Sequence, residues 1–288
     1  MKFDKLHAAA SPVAAGSVAQ AEIPRGVTLH TTTIECLTAA GAHLTVAQMK
    51  TEIEYITIKF GSREIVNQIS GTDLLELEAF WGLTNKDGYI NIYHALPYLE
   101  HKFVNQGAQA GLDKEFLSLG TVDAKQIMVY IKVASGATLV SSINVRGKVS
   151  EDGRKLGSFV TYKENDRSHT TTGTEQIDNL PFGVFGRAHI LWKFSKNTLT
   201  EYNLKVNGRD IYEDKKLEET QAQNVNAGRV NVSGRMHIDF TLDNVFRASD
   251  LLAQGGVNEQ RLDVEWGTAP NSYTILMLQV EDLDKAGA

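Results

Sequence analysis

The feature that most constrains the fold is a stretch that the chain uses twice. Tyr202–Ile211 reads Tyr-Asn-Leu-Lys-Val-Asn-Gly-Arg-Asp-Ile, and Ile56–Ile65, 146 residues earlier, reads Ile-Thr-Ile-Lys-Phe-Gly-Ser-Arg-Glu-Ile. In both, apolar and polar residues alternate as on a half-buried strand, a two-residue turn containing glycine follows, and Arg, an acid and Ile begin the return. Neighbouring blocks repeat in the same order. Upstream, Gly16-Ser17 and Ile23–Val27 match Gly173-Thr174 and Leu180–Val184 at a spacing of 157. Downstream, Val122–Val145 lies on Val257–Val280 at a spacing of 135, which sets Ile127, Val129 and Ile131 on Leu262, Val264 and Trp266, and Ile143 and Val145 on Leu278 and Val280. Between them Ile90-Asn91-Ile92 falls on Ile238-Asp239-Phe240. The order is kept while the spacing shrinks, so the first copy carries the longer connections. The 288 residues suit two domains of about 140 each, and the repeat divides them into an N-terminal arm over 1–15, a first domain over 16–150 and a second over 151–288.

Within each copy the pattern is one of short strands. In the first they are expected at Val18–Ile23, Thr28–Leu37, Glu52–Phe60, Tyr89–His94, Lys125–Val133 and Leu139–Val149. In the second they are expected at Thr174–Leu180, Ala188–Phe194, Tyr202–Val206, Met236–Leu242, Arg261–Trp266 and Tyr273–Val280. One short helix stands out: Ser70 and Asp73 have capping-box spacing, Leu74, Leu77 and Trp81 share a face, and Gly82 suits the left-handed position after the last turn. Its counterpart is the charged run Glu213–Gln223, and a further helix is expected over Leu112–Leu117. Glu164–Gly173 and Gln221–Gly228 read as surface loops. Strands of this length with short helical insertions predict an all-β protein of antiparallel sandwiches. Two strands break the one-sided pattern. Ile127–Val133 carries Met128 and Tyr130 on its second face, and Ile275 and Met277 stand opposite Leu276, Leu278 and Val280. A strand apolar on both faces is covered on both, by a sister domain or another molecule, which makes Met128, Tyr130, Ile275 and Met277 the candidate packing or interface residues.

Chemistry is harder to find. The eight histidines never fall at His-x-x-x-His or Glu-x-x-His spacing, and there is no Gly-x-Ser-x-Gly elbow, Walker loop or dinucleotide fingerprint. Asp210, Glu213 and Asp214, and Glu281, Asp282 and Asp284, offer oxygens of the kind Ca²⁺ takes, but without EF-hand spacing or its glycine; solvated charge is the simpler reading. No catalytic, cofactor-binding or metal residue is therefore nominated, and a structural Ca²⁺ is not indicated. Net charge is −6, so no global positive field exists to hold nucleic acid or an anionic membrane. One cysteine, Cys36, makes no internal disulfide and reads as a small buried hydrophobe. No run approaches the roughly 18 apolar residues of a spanning helix, and the opening residues are too weakly apolar for a signal peptide. The repeated Pro-x-Gly, Pro24 with Gly26 and Pro181 with Gly183, is read as a structural corner: proline fixes φ at the end of one strand and glycine permits the bend into the next.

The Ala- and Gly-rich opening before Ile23-Pro24-Arg25-Gly26, the strand and turn Ile56–Ile65 with the following Leu74-Leu75 helix, Leu119-Gly120-Thr121-Val122, and Leu180-Pro181 with the strand Tyr202–Val206 carry a family resemblance over nearly the whole chain. The chain resembles the double jelly-roll major capsid proteins of tailless, icosahedral phages with an internal membrane, most of all the corticovirus type. That resemblance implies two tandem eight-stranded jelly rolls, no enzymatic activity, and a homotrimer whose six rolls make a pseudo-hexameric capsomer. Such trimers would tile an icosahedral capsid over an internal membrane, in the virion after passing through the host cytoplasm. The partners it implies are neighbouring capsid trimers, vertex (penton) and minor capsid proteins, and the viral inner membrane on the side of the N-terminal arm with Lys2 and Lys5. Direct nucleic-acid contact is not implied. Loops around Asn85–Gly88 and Gln106–Gly111 would form the outer surface. The alternative is a carbohydrate-binding or receptor-binding β-sandwich of the spike or lectin kind, which requires aromatic side chains on an exposed face; Trp81, Trp192 and Trp266 instead fall at a helix end and in strand interiors.

Overall fold

A computed structural model of the chain describes residues 2–98, 117–178, 180, 187–242 and 259–281. They form two compact units, divided between Lys163 and Glu164. The first holds β1 (Lys2–Ala9), β2 (Val18–Glu22), β3 (Thr28–Leu37), α1 (Val46–Glu52), β4 (Ile53–Phe60), β5 (Arg63–Ile69), α2 (Gly71–Phe80), β6 (Tyr89–Tyr93), β7 (Leu119–Gly120), β8 (Ile127–Val133), β9 (Ser142–Ser150) and the start of β10 (Phe159–His169). The second holds the rest of β10, β11 (Gly173–Ile177), β12 (Arg187–Phe194), β13 (Leu199–Val206), β14 (Arg209–Lys216), α3 (Leu217–Asn226), β15 (Met236–Asp239), β16 (Gln260–Trp266) and β17 (Asn271–Glu281).

In each unit the chain passes back and forth between two sheets. One sheet of the first unit runs β9-β3-β6, with β1 outside β9 and β7 on β3; the other runs β2-β8-β4-β5. The second unit repeats both orders as β17-β12-β15 and β11-β16-β13-β14. The fold is a double jelly roll. Its second core is fed from both sheets, by Trp192, Phe194, Met236, Ile238, Ile275 and Met277 on one side and Ile177, Tyr202, Leu204, Leu262, Val264 and Trp266 on the other.

The duplicated hairpin has kept even its irregularities. The β4/β5 ladder slips between Ile56 and Ile58 and again between Ile58 and Lys59; the β13/β14 ladder slips between Tyr202 and Leu204 and again between Leu204 and Lys205. In each hairpin the first slip accommodates a left-handed residue in the return strand, a β-bulge. Gln68 (φ 51°) donates its N–H to Thr57 Oγ1 at 3.1 Å, and Asp214 (φ 45°) donates its own to Asn203 Oδ1 at 2.6 Å. An ion pair crosses both hairpins, Lys59–Glu64 at 2.8 Å and Lys205–Asp210 at 3.2 Å. Each return strand runs into a ten-residue helix, capped by Ser70 in the first copy. A left-handed glycine follows each, Gly82 and Gly228.

Ladder partners also correct the repeat downstream. Ile56 faces Ile131 and Ile58 faces Val129, while Tyr202 faces Val264 and Leu204 faces Leu262. Ile131 therefore corresponds to Val264, a spacing of 133 rather than the expected 135. Likewise Ile34 faces Ile90 and Val145, where Phe194 faces Met236 and Ile275. Val145 thus stands on Ile275, not on Val280, and Ile90 on Met236, not on Ile238. Upstream, β2 lies on β11 with Val18 on Thr174, one residue from the sequence alignment.

Other expectations change as well. The opening residues, read as an arm, are tied down as β1 along β9 from Lys2 to Ala9. Glu164–Gly173, expected to be a loop, is strand as far as His169 and resumes as strand at Gly173, and Gln221–Gly228 is mostly the second half of α3. That helix starts at Leu217 because the residues before it still pair with β13, Lys216 opposite Glu201. α1 has no counterpart in the sequence reading, although Thr45 and Gln48 form a complete capping box. Pro24 and Gly26 lie between β2 and β3, with Gly26 at φ 87°. Pro181, Gly183, the expected helix from Leu112 and the loop Gln106–Gly111 lie outside the described residues.

Candidate functional site

The most elaborate cluster of charge in the first unit lies on the β1-β9-β3-β6 sheet. Strand alternation puts Ile34, Cys36, Ile90, Ile92, Ile143 and Val145 on its buried face. The other face carries polar rows: Leu6, Arg146, Thr33 and Asn91 in register across the four strands, then Asn144, Glu35 and Tyr89. Glu35 is the hub. Its Oε2 accepts from Arg146 Nε at 2.8 Å and Asn144 Nδ2 at 2.9 Å; its Oε1 accepts from Tyr89 OH at 3.2 Å and lies 3.4 Å from His43 Nε2. Burial alone would raise the Glu35 carboxyl, but hydrogen bonds from Asn144, Arg146 and His43 together with the Arg146 charge outweigh it and hold it at about 2. A cleft of about 360 Å³ opens beside this cluster, lined by Asp4, Thr33, Lys86, Tyr89, Asn91, Arg146 and Gly147. Lys86 Nζ sits 5.3 Å from the centre of the Tyr89 ring, a cation–π contact. The arrangement offers charge and hydrogen bonds to a partner surface. Tyr89 OH also lies 3.2 Å from His43 Nε2, so the hydroxyl is shared between that ring and Glu35.

Glu78 on α2 is the opposite case. Asn91 and Tyr93 flank it and would lower it, but neither reaches its oxygens in hydrogen-bonding geometry, so burial wins and pushes the carboxyl up to about 7. Because the folded pKa lies above the ordinary glutamate value of 4.5, the folded protein keeps a proton that the unfolded chain releases, and stability falls as pH rises from 4.5 to 7. Glu78→Gln, a neutral mimic, should match the wild type near pH 4 and exceed it by up to about 3 kcal/mol above pH 7. Urea unfolding of both proteins across that range checks this, and a difference independent of pH would refute it.

The residues singled out from sequence are dispersed. Met128 and Tyr130 are half-buried on β8, with Lys59 Nζ 5.7 Å from the Tyr130 ring. Ile275 and Met277 are buried in the second core, and Leu276 and Leu278 on the opposite face are buried within the same chain. Asp210 pairs with Lys205 and Glu213 is exposed, while Asp282 and Asp284 lie outside the described residues. Among the described residues no group of three His, Cys, Asp or Glu side chains is placed to hold a metal. His30 is held by Ser118 and Ser150, and His94 by Thr32, inside the first unit. Trp81, Trp192 and Trp266 are all buried, so none offers the exposed aromatic platform of a sugar-binding face. The Glu35–Arg146 hub was not anticipated. Its one sequence signal is an acid alternating with threonines on a strand whose other face is apolar.

Comparison with known proteins places this architecture. The profile of the viral coat protein P2 N-terminal domain matches residues 5–150, and that of the viral coat protein P2 C-terminal domain matches residues 160–283. No curated protein matches the chain in sequence. Among solved structures, the major capsid protein P2 from bacteriophage PM2 superposes with a TM-score of 0.83 at 15% identity, covering 98% of each chain. The capsid protein in the quasi-atomic model of the PBCV-1 virus capsid gives 0.65 at 11% identity, covering 98% of this chain and 94% of that one. A chain of Sulfolobus turreted icosahedral virus gives 0.66 at 14% identity, covering 98% and 91%.

Proposed function

Because the chain belongs to the viral coat protein P2 family, with that family's N- and C-terminal domains in order, we propose that this structural coat protein works as a trimer. Three chains present six comparable rolls as a pseudo-hexameric tile, and such tiles pack with neighbouring trimers and vertex proteins into an icosahedral shell over an internal membrane. The observation that supports this reading most is the duplication itself. Sheet orders, bulges, ion pair and helix recur in both units, so three chains supply six similar flanks and a near-hexagonal lattice needs no further symmetry. Lys2 and Lys5 on the opening strand are the groups that would meet an anionic lipid surface, an attraction of about 1 kcal/mol per charge. Met128 and Tyr130 remain the candidate contact residues on β8.

Native mass measurement tests the trimer. A chain of 31.7 kDa should give a particle of about 95 kDa, three times that mass, with an interface above about 2,000 Å² in total, as obligate assemblies have. A strictly monomeric mass at micromolar concentration would count decisively against the proposal.

A further inference from the structure

The two copies of the hairpin differ in one respect: what lies beyond the return strand. In the first unit β5 has a neighbour, β10, which runs parallel to it with Tyr162 opposite Val66 and Lys163 opposite Asn67. Ile65 and Val66 are fully buried there. Among the described residues of the second unit the counterpart strand, β14, ends its sheet. It is exposed along most of its length, and Ile211, the counterpart of Ile65, is 46% exposed. An open strand edge with an exposed isoleucine is a template for another strand.

The fold also shows which strand would fit. β10 flanks β17 in the second unit as β1 flanks β9 in the first, and β9 and β17 are counterparts by their ladders. β1 is therefore the duplicate of β10. Among the described residues no strand pairs with its outer edge, and it exposes Leu6 at 51%. We propose that the outer edge of β14 receives β1 of a second copy of this chain in parallel, repeating between molecules the pairing that β10 makes on β5. Leu6 on β1 and Ile211 on β14, both exposed in the single chain, are covered together. The usual guards of an edge, charge and a bulge, do not forbid it, since β5 carries the same bulge at Gln68 and still takes a neighbour at the two residues before it. Each copy offers one donor edge and one acceptor edge, so the contact is head-to-tail and closes only in a ring. Main-chain pairing of this kind is strand addition as used in peptide recognition.

The inference rests on the trimer reading, and two measurements on the full-length protein separate them. By hydrogen exchange, β14 amides in the native oligomer should exchange at least about tenfold more slowly than in the dissociated chain. Ile211→Asp and, independently, Leu6→Asp should raise the concentration for half-assembly by about tenfold or more, while Val225→Asp, at an exposed site on α3, leaves it unchanged. A stable trimer with unprotected β14 amides and undiminished assembly of Ile211→Asp would overturn the strand addition and leave the trimer standing. A monomeric wild type overturns both. Protection of β14 that arises only when other virion proteins are added would give the edge to a different partner and also overturn the proposal.

Discussion

Replacing Asp239 by alanine is expected to lower the unfolding free energy of the second jelly roll by about 3–5 kcal/mol, the cost of leaving one member of a buried ion pair uncompensated. Arg229 and Asp239 are 2% and 1% exposed, and Arg229 Nε donates to Asp239 Oδ2 at 2.7 Å. Asp239 Oδ1 accepts from both the N–H and the hydroxyl of Thr241 at 2.7 Å, and Arg229 Nη2 donates to the Thr241 carbonyl at 3.2 Å. The Arg229 N–H is bonded to the Asn224 carbonyl at 2.9 Å, and Asn224 Nδ2 to the His237 carbonyl at 3.1 Å. The pair thus clamps the end of α3 to β15. Alanine removes the anion and leaves the guanidinium dry. If the penalty is that stranded charge, removing both charges with Arg229→Met and Asp239→Leu should recover most of the loss. Denaturant unfolding followed by the fluorescence of Trp192 and Trp266, both in this core, reads the effect. Single and double variants of equal stability would show the ion pair to be incidental.

The jelly rolls were legible in the sequence because an internal repeat does not depend on judging any one strand well. Ile56–Ile65 and Tyr202–Ile211 preserve spacing through a bulge, an ion pair and a following helix, and each of those features constrains the next. Downstream the signal weakens for a physical reason. Strand side chains alternate with period two, so sliding β8 by two residues against β16 keeps every apolar position apolar. The sequence match therefore settled at 135, where hydrogen bonding requires 133. For β17 even parity is lost, because Leu276 and Leu278 are as buried as Ile275 and Met277, and a strand apolar on both faces does not tell which face meets the core. The polar hub was less visible still. Glu35 meets Asn144 and Arg146 because β9 lies on one side of β3, more than a hundred positions away in sequence, and Tyr89 because β6 lies on the other, 54 positions away; His43, eight positions on, is the one local member. The same holds for β14. Its sequence resembles that of β5, and only the topology reveals that, among the described residues, one has a neighbour and the other ends its sheet.

Gly120→Ala is expected to destabilise the first jelly roll by about 3 kcal/mol or more, at or beyond the upper end of what overpacking usually costs. Gly120 lies in Leu119-Gly120-Thr121-Val122, a motif whose glycine is explained by space rather than by backbone conformation. It pairs with Thr28 at the start of β3, and a Cβ built on it would collide with the Lys155 carbonyl and stand 2.6 Å from the Arg154 carbonyl oxygen. Both obstacles are backbone, so no rotamer change relieves them. Nor can the 154–156 segment simply retreat. The Arg154 carbonyl accepts from the Val122 N–H at 3.3 Å, Arg154 Nη2 donates to the Ser118 carbonyl at 2.6 Å, and the Leu156 N–H donates to Asp123 Oδ1 at 3.0 Å. A methyl group therefore forces a choice between breaking these bonds and pulling β7 off β3. Gly136 is the matched control, with nothing within 4 Å of its added Cβ, and Gly136→Ala should be neutral or raise stability by a few tenths of a kcal/mol through the unfolded chain. Thermal unfolding of the two variants decides the matter: if Gly120→Ala melts with the wild type, the close approach of Lys155 is not a constraint on this strand.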